Sequence, residues 1–395
     1  MTRIGGLVWI RITGLCCTVT VGGDSPEYAN ATQIAQQMPQ LSADQVLTGL
    51  VLFENAERVR AANATVVSYQ RQLPVTRLWG DDKLASSDSM SVDVSRRLWN
   101  ARLDPKRGIP SIGTYTHWVN TGGLIYDQPL VLGNRQAGAA IEGVVRQEEI
   151  VIDQLAVDTH GYTMMGIVIS KFNGFDLCPR LKQQSERKLY LPTELSDDVP
   201  DSLMDIIDFS VSLKLIRQHW DDLLRIAASI ATGQTNAMIA LARFGSAATH
   251  DPIYRAGVAL GRLLRSVYLC DYFISEPFRR VINRVLVHGE AIHRLQRAIY
   301  RGSFAGTRGQ REAELIALSG SLTLVSNLCL AWTTTHIQAV LDEKPPWLTT
   351  AGTDWMKNIS PGHFEFINLQ GTLNFGLAPY RERLFATGAE VTANP

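Results

Sequence analysis

Apolar side chains recur at two different periods along this chain, and the switches between them divide it. In the first region, about 25 to 75, "QVLTGLVLFENAERVRAANATVVSYQRQL" places them at three- and four-residue steps, which predicts helix. The period then drops to two. "LASSDSMSVDV" (84–94), "SIGTYTHWVN" (111–120), "LIYDQPLVLG" (124–133) and "IVIDQLAVDT" (150–159) alternate or run apolar between Gly, Asn, Asp and Pro, the pattern of strands and turns. "AGAAIEGVVRQEE" and "GYTMMGIVISKFNGF" predict helices among them, and "LCPRL" and "LYLP" two further short strands. From about 200 to 345 the spacing is helical almost throughout. A mixed sheet flanked by helices, followed by a long helical block, is an α+β arrangement.

One residue breaks the strand pattern. Asp88 lies on the same period-two face as Met90, Val92 and Val94, and a carboxylate on an apolar face is costly unless something pairs with it. Two other carboxylates are set apart by position. Asp158 ends "QLAVD", where loops at strand ends leave side chains open to ligand. Glu290 starts a helical run in which Arg294, Arg297 and Arg301 share its face, while Ala291, Leu295 and Ala298 point the other way. Plainer roles compete with each of these. Asp88 can be a turn residue or a solvated charge, Asp158 can cap the next helix, and Glu290 can pair with Arg294 one turn on.

With 395 residues, more than one structural unit is expected. The 38 basic and 38 acidic side chains cancel, so no whole-molecule field draws nucleic acid in, and any such binding must come from local basic patches. Five cysteines, an odd number with no CxxC pair, argue against a disulfide framework or a zinc knuckle and for a reducing compartment. Arg11 interrupts the apolar start "MTRIGGLVWIRITGL", so a signal peptide is not expected. "LIALSGSLTLVSNLCLAW" (315–332) is uncharged, but it contains Ser, Thr, Gly and Asn and has helical spacing, which predicts a buried core helix rather than a membrane span.

The longer motifs bear a family likeness. "LWGDDKLASSDSMSVDVSRRLWNARLDP", "IYDQPLVLGNRQAGAAIEGVVRQEE", "QLAVDTHGYT" and "FDLCPRLKQQSERKLYLP" resemble the catalytic part of class II replicative transposases, the Tn-three family. "HWDDLLRIAASIATG", "FRRVINRVLVHGEAIHRLQRAIYRG" and "ISPGHFEFINLQGTLNF" continue the likeness in order, from about residue 30 to 376. The resemblance implies a ribonuclease-H-like core with a DDE triad: Asp88 of "SSD", Asp158 of "DTHGY" and Glu290 of "GEA" as catalytic residues and metal ligands. It further implies a division into an unmatched leader (1–24), a helical segment (25–78), a core with the two aspartates (79–200), a helical insertion (201–280), a glutamate-bearing helix with following core helices (281–345) and a tail (346–395). The family's N-terminal domains, which recognise the terminal inverted repeats, are not found in this sequence, so a truncated chain is expected. His293 stands where an Asn is expected.

The implied reaction is metal-dependent cleavage at transposon ends followed by transfer of the 3′-hydroxyl into target DNA. Two divalent ions suit such in-line displacements, and hard carboxylate oxygens suit Mg²⁺, with Mn²⁺ able to substitute. The partners implied are double-stranded DNA, both inverted repeats and target, and further copies of the chain, in a bacterial cytoplasm and on the nucleoid when DNA-bound, with no membrane. Arg96, Arg97, Arg180, Lys182, Arg294, Arg297 and Arg301 are the candidate phosphate contacts. Trp99, Trp118 and Trp220 could stack on a splayed base, although core packing is the plainer expectation for each. Structural roles are likewise the plainer expectation for His117, His160 and His293. The alternative to an active enzyme is an inactive remnant that binds only DNA or a full-length partner.

Overall fold

A computed structural model describes residues 42–45, 55–148, 150–182, 187–244, 249–300, 312–343, 354–365 and 367. The segments predicted by period two pair into one mixed sheet. Its strands are β1 (Leu84–Asp93), β2 (Arg102–Leu103), β3 (Pro110–Val119), β4 (Leu124–Leu130), β5 (Gln154–Val157) and β6 (Asp176–Pro179). β1 is central: β3 pairs antiparallel on one side, with β4 beyond it, and β5 pairs parallel on the other, with β6 beyond that. The short β2 joins the far end of β3.

Helices cover both faces because both faces are apolar. α1 (Ala56–Arg71) precedes the sheet; α2 (Ala137–Arg146) and α3 (Met164–Phe172) are interleaved with its later strands. Then come β7 (Leu189–Pro192), β8 (Ile207–Val211), α4 (Leu213–Gln218), α5 (Trp220–Ala231), α6 (Ala237–Arg243), α7 (Pro252–Ile274), α8 (Glu276–Ile299) and α9 (Glu312–Glu343). α2 and α3 pack Ile141, Val168 and Ile169 against Ala85, Tyr115, Leu155 and Val157 on one face. α1, α8 and α9 cover the other, where Met90, Val92, Ile112 and Trp118 meet Val59, Ile292, Leu295 and Leu322. Among the described residues, the helical block read from residue 200 contains one strand. "IDFSV" of β8 alternates with period two and pairs parallel to β7.

α9 contains the uncharged run 315–332 and is long and apolar enough to cross a membrane by length and composition alone. It packs against α1 and β4, and its polar side chains meet theirs. The Asn327 amide donates to Asn63 Oδ1 (2.6 Å) and to the Leu124 carbonyl (2.7 Å), while its oxygen accepts from Leu124 N (2.8 Å). Thr114 and Ser319 share a hydrogen bond of 2.6 Å, and Gln70 donates to Thr334 at 2.9 Å. The Ser, Thr and Asn of this run are therefore the points at which it is keyed to the sheet.

Candidate functional site

Strand register brings the two aspartates together. β1 and β5 pair Ser86 with Ala156 and Ser87 with Val157, so one further step sets Asp88 beside Asp158. Neighbours in a parallel pair project to the same face, with strands about 4.8 Å apart. β5 and β6 pair Val157 with Pro179, and the same step sets Arg180 beside Asp158. On the other side Asp88 pairs with Thr116, and Thr116 with Asp127. A single transverse row across the sheet thus reads Arg180, Asp158, Asp88, Thr116, Asp127.

α8 adds the third carboxylate. Its Ile282, Val285 and Leu286 pack with Leu84 and Ala156, which precede the two aspartates on the same face. One turn later, at Gly289, the helix packs directly on the sheet, and a Cβ there would fall 1.9 Å from the Trp118 ring. The Trp118 indole N–H donates to the Val285 carbonyl (3.4 Å), and the ring stands edge-on to His293 with centroids 5.9 Å apart. Trp118 therefore grips a stripe of Val285, Gly289 and His293 at four-residue spacing, and Glu290, the next residue round, is turned into solvent. Among the described residues no ion pair joins Glu290 to Arg294, so the simple i,i+4 reading does not describe it.

The electrostatics converge on Asp88. Its side chain is only 25% exposed, and burial pushes its carboxyl up to about 7. The nearby charges of Asp158 and Glu290 push the same way, against a backbone N–H bond from Ser89 (2.7 Å) and the influence of His160. His293 Nδ1 stands 3.9 Å from Asp88 Oδ2. Burial, with Arg297 nearby, lowers His293 to about 3, so it is a neutral ring at ordinary pH, and its Nε2 has no hydrogen-bond partner.

Asp158 does not cap α3; Thr163 does, accepting from Gly166 N at 2.9 Å. Asp158 Oδ1 instead accepts from the backbone N–H groups of His160 (2.8 Å) and Gly161 (3.0 Å), and Oδ2 lies 3.0 Å from His160 Nδ1. The turn needs Gly161, because a Cβ there would fall 2.6 Å from the Val157 side chain. The carboxylate is thus oriented by its own loop, with the exposed His160 imidazole on its second oxygen.

As a donor set, three carboxylates with one strongly desolvated suit a hard divalent cation, which would offset the burial, and the added repulsion, that raise Asp88. The side chains are not gathered into a finished cage: among the described residues no three His, Cys, Asp or Glu stand close enough to hold an ion.

The basic residues separate into two groups. Arg107 is tied to Asp93 and Asp104, Arg187 to the Lys182 carbonyl, and Arg279 to the carbonyls of Tyr272 and Phe273. Arg96, Arg97, Lys182, Arg294 and Arg297 are exposed, and Arg180 is half-buried beside Asp158. Arg301 lies outside the described residues. Of the tryptophans, Trp118 is core, but Trp99 (78% exposed) and Trp220 (40% exposed) are not, contrary to the plainer expectation. Trp99 lies in a turn between buried neighbours, and Trp220 starts α5 with its ring edge-on to Phe172. His117 is buried on the opposite face, with its Nε2 on the Ala140 carbonyl (2.9 Å), whereas His160 is exposed. The sequence reading missed the Trp118–Gly289 contact. Its only signal was the "HGEA" glycine inside a helical run.

Comparison with known proteins comes to the same region. The family model "Tn3 transposase DDE domain" matches residues 26–373. The chain is 42% identical over 354 residues to the transposase for insertion sequence element IS1071 in transposon Tn5271 of Comamonas testosteroni, covering 90% of this chain and 36% of that protein. It is 26% identical over 348 residues to the transposase for transposon Tn1546 of Enterococcus faecium (87% and 35%), and 27% over 347 residues to that for Tn501 of Pseudomonas aeruginosa (86% and 34%). The chain spans about a third of the length of these relatives.

Proposed function

This chain belongs to the Tn3 transposase DDE-domain family, and from that premise we propose that it performs the DNA-cleaving and strand-joining chemistry of a transposase. The observation that supports this most is that Asp88, Asp158 and Glu290, from two adjacent parallel strands and one helix, lie near enough for the other two charges to add to the burial that raises Asp88. The strand order β4-β3-β1-β5-β6, with β1 antiparallel to β3 and parallel to β5, supports a ribonuclease-H-like core.

In this reading Asp88, Asp158 and Glu290 would hold divalent ions, Mg²⁺ in the first place. When bound, such ions activate the incoming oxygen and stabilise the leaving one in a phosphoryl transfer. The residues do the rest. The turn at Asp158 fixes one carboxylate by two backbone bonds, and the Trp118 grip on α8 fixes where Glu290 emerges. His293 stays neutral beside Asp88 and so does not compete for it as a cation. Arg180, Arg294 and Arg297 flank the carboxylates where a DNA backbone would run; contacts of this kind position the duplex without reading its sequence. The substrates are transposon-end and target DNA, engaged by paired copies of the chain, in the bacterial cytoplasm.

The test is nicking of intact transposon-end duplexes and strand transfer from pre-cleaved ones, with Mg²⁺ or with chelator, comparing the chain with Glu290→Gln. Products that need Mg²⁺ and vanish in the variant support the reading. DNA binding without products, while the homologous triad in a full-length relative is active, would replace it with a non-catalytic partner of a longer transposase.

A further inference from the structure

The connection between β1 and β3 displays a tryptophan. Trp99 is 78% exposed, yet Leu98 (3%) and Asn100 (5%) on either side of it are buried. The backbone beneath it is closed by Leu98 N to Ser95 O (3.1 Å) and Ala101 N to Leu98 O (3.1 Å). The Arg102 guanidinium donates to the carbonyls of Trp99 (3.3 Å) and Ala101 (2.9 Å). The ring is therefore held out from a fixed turn, where a large aromatic side chain ordinarily packs inward.

Its sequence neighbours Arg96 and Arg97 are exposed, as is Lys106 later in the same connection, whereas the charge of Arg107 is absorbed by Asp93 and Asp104. Leu103 and Ile109 are exposed in that connection too. Trp and Arg also anchor protein interfaces, but surfaces for unpaired nucleic acid combine an aromatic face with a cationic groove, and the position relative to the carboxylates selects the second. β1 continues five residues past Asp88 to Asp93, about 17 Å at 3.3 Å per residue, in the direction in which β5 and β6 end. On DNA that reach is roughly five nucleotide steps of 3.4 Å.

We infer that Trp99 is a stacking platform for an unpaired or unstacked nucleobase in the DNA flanking the cleaved phosphate, with Arg96 and Arg97 on the adjoining phosphates. This rests on the DNA-processing reading above. The experiment measures binding of the full chain to a duplex bearing a short single-stranded flank with 2-aminopurine, and to the same duplex fully paired, across a salt series. The wild type should prefer the flanked probe and quench its fluorescence. Trp99→Ala should weaken that complex between about five- and a hundredfold, the worth of one stacked base, without weakening the paired one. Trp99→Phe should keep most of the preference. Arg96→Ala and Arg97→Ala should weaken both probes alike and each lower the salt slope by about one. Unchanged affinity and quenching in Trp99→Ala would overturn the assignment. So would loss of self-association in sedimentation with the DNA preference intact, which would make Trp99 a protein contact. No binding of either probe by the wild type would sink the transposase reading itself, an outcome separable from the others.

Discussion

Asp88 and Asp127 occupy the same transverse row of the sheet, separated by Thr116, and burial pushes both carboxyls above their ordinary range. What lies over them differs. Above Asp127 is α9, whose Ser319 hydroxyl favours the ionised form and also meets Thr114, with Arg60 acting in the same sense. Above Asp88 is α8, which adds Glu290 to the neighbouring charge of Asp158 and leaves His293 neutral. Thr116 Oγ1, between the two, has no partner. Desolvation by itself does not mark a site. A buried carboxylate surrounded by donors belongs to the framework, while one surrounded by further carboxylates asks for a cation.

The sharpest way to break this comparison is to neutralise each aspartate in turn. Asp88→Asn should abolish Mg²⁺-dependent cleavage by more than about a hundredfold, the upper range for residues one shell removed from a metal. Asp127→Asn should leave the rate of folded protein nearly unchanged. Single-turnover cleavage of intact transposon ends, with strand transfer from pre-cleaved ones alongside, would decide it. Equal losses in both variants would mean that the row acts only as scaffold.

The next effect is on stability, and its sign is opposite to that of an ordinary ion pair. A carboxyl whose folded value is raised favours the folded state while protonated, and that advantage is lost as pH rises through the folded value. For Asp88 the window runs from the ordinary 3.8 to about 7. A rise of that size corresponds to at most about 4 kcal/mol. Without metal, Asp88→Asn should therefore be more stable than the wild type above pH 7, with the gap closing towards pH 4. Added Mg²⁺ should shrink the gap by stabilising only the wild type. Thermal melts at several pH values, with and without Mg²⁺, would show this; a wild type that is the more stable partner at pH 8 without metal would contradict it.

Much of this contrast was legible in the sequence, and the part that was not has a physical reason. Alternation exposed the strands, and the shared face of Asp88, Met90 and Val92 raised the right question, because strand geometry maps sequence parity directly onto faces. Asp158 was visible as a strand end. That the two aspartates are adjacent was not, since it depends on the register between β1 and β5, which no local pattern encodes. Placement of Glu290 depends on a contact between Trp118 and Gly289, far apart in sequence. The tryptophans divide for the same reason: Trp118 sits on a strand under a helix, and Trp99 in a turn, where composition alone says nothing about direction.

The α9 side of the comparison can be loosened independently. Asn327→Ala removes three hydrogen bonds and leaves the buried Leu124 N–H and Asn63 Oδ1 without these partners, while the Leu124 carbonyl keeps the Asn63 amide at 2.9 Å. An unsatisfied buried group costs about 1–3 kcal/mol, so a loss of about 2–3 kcal/mol is expected in urea denaturation. Cleavage by the folded fraction should persist, because this keying fixes α9 and not α8.

The finest distinction lies between two helical glycines. At Gly289 an added Cβ would overlap the Trp118 ring at 1.9 Å, and that ring is wedged between β3 and α8. At Gly320 in α9 it would meet Val59 Cγ1 at 3.0 Å, a methyl at the end of a side chain. Alanine gains up to about 1 kcal/mol of helix propensity at either position. Overpacking a rigid contact costs about 1–3 kcal/mol, so Gly289→Ala should be destabilised on balance, while Gly320→Ala should come out near zero. The more telling readout is activity per folded molecule. Gly289→Ala must move α8 away from the sheet and Glu290 with it, so its cleavage rate should fall further than its folded fraction. Gly320→Ala leaves that spacing alone and should cleave like the wild type. If both variants cleave normally, the approach of α8 to the sheet does not set the position of Glu290, and the Trp118 contact is packing only.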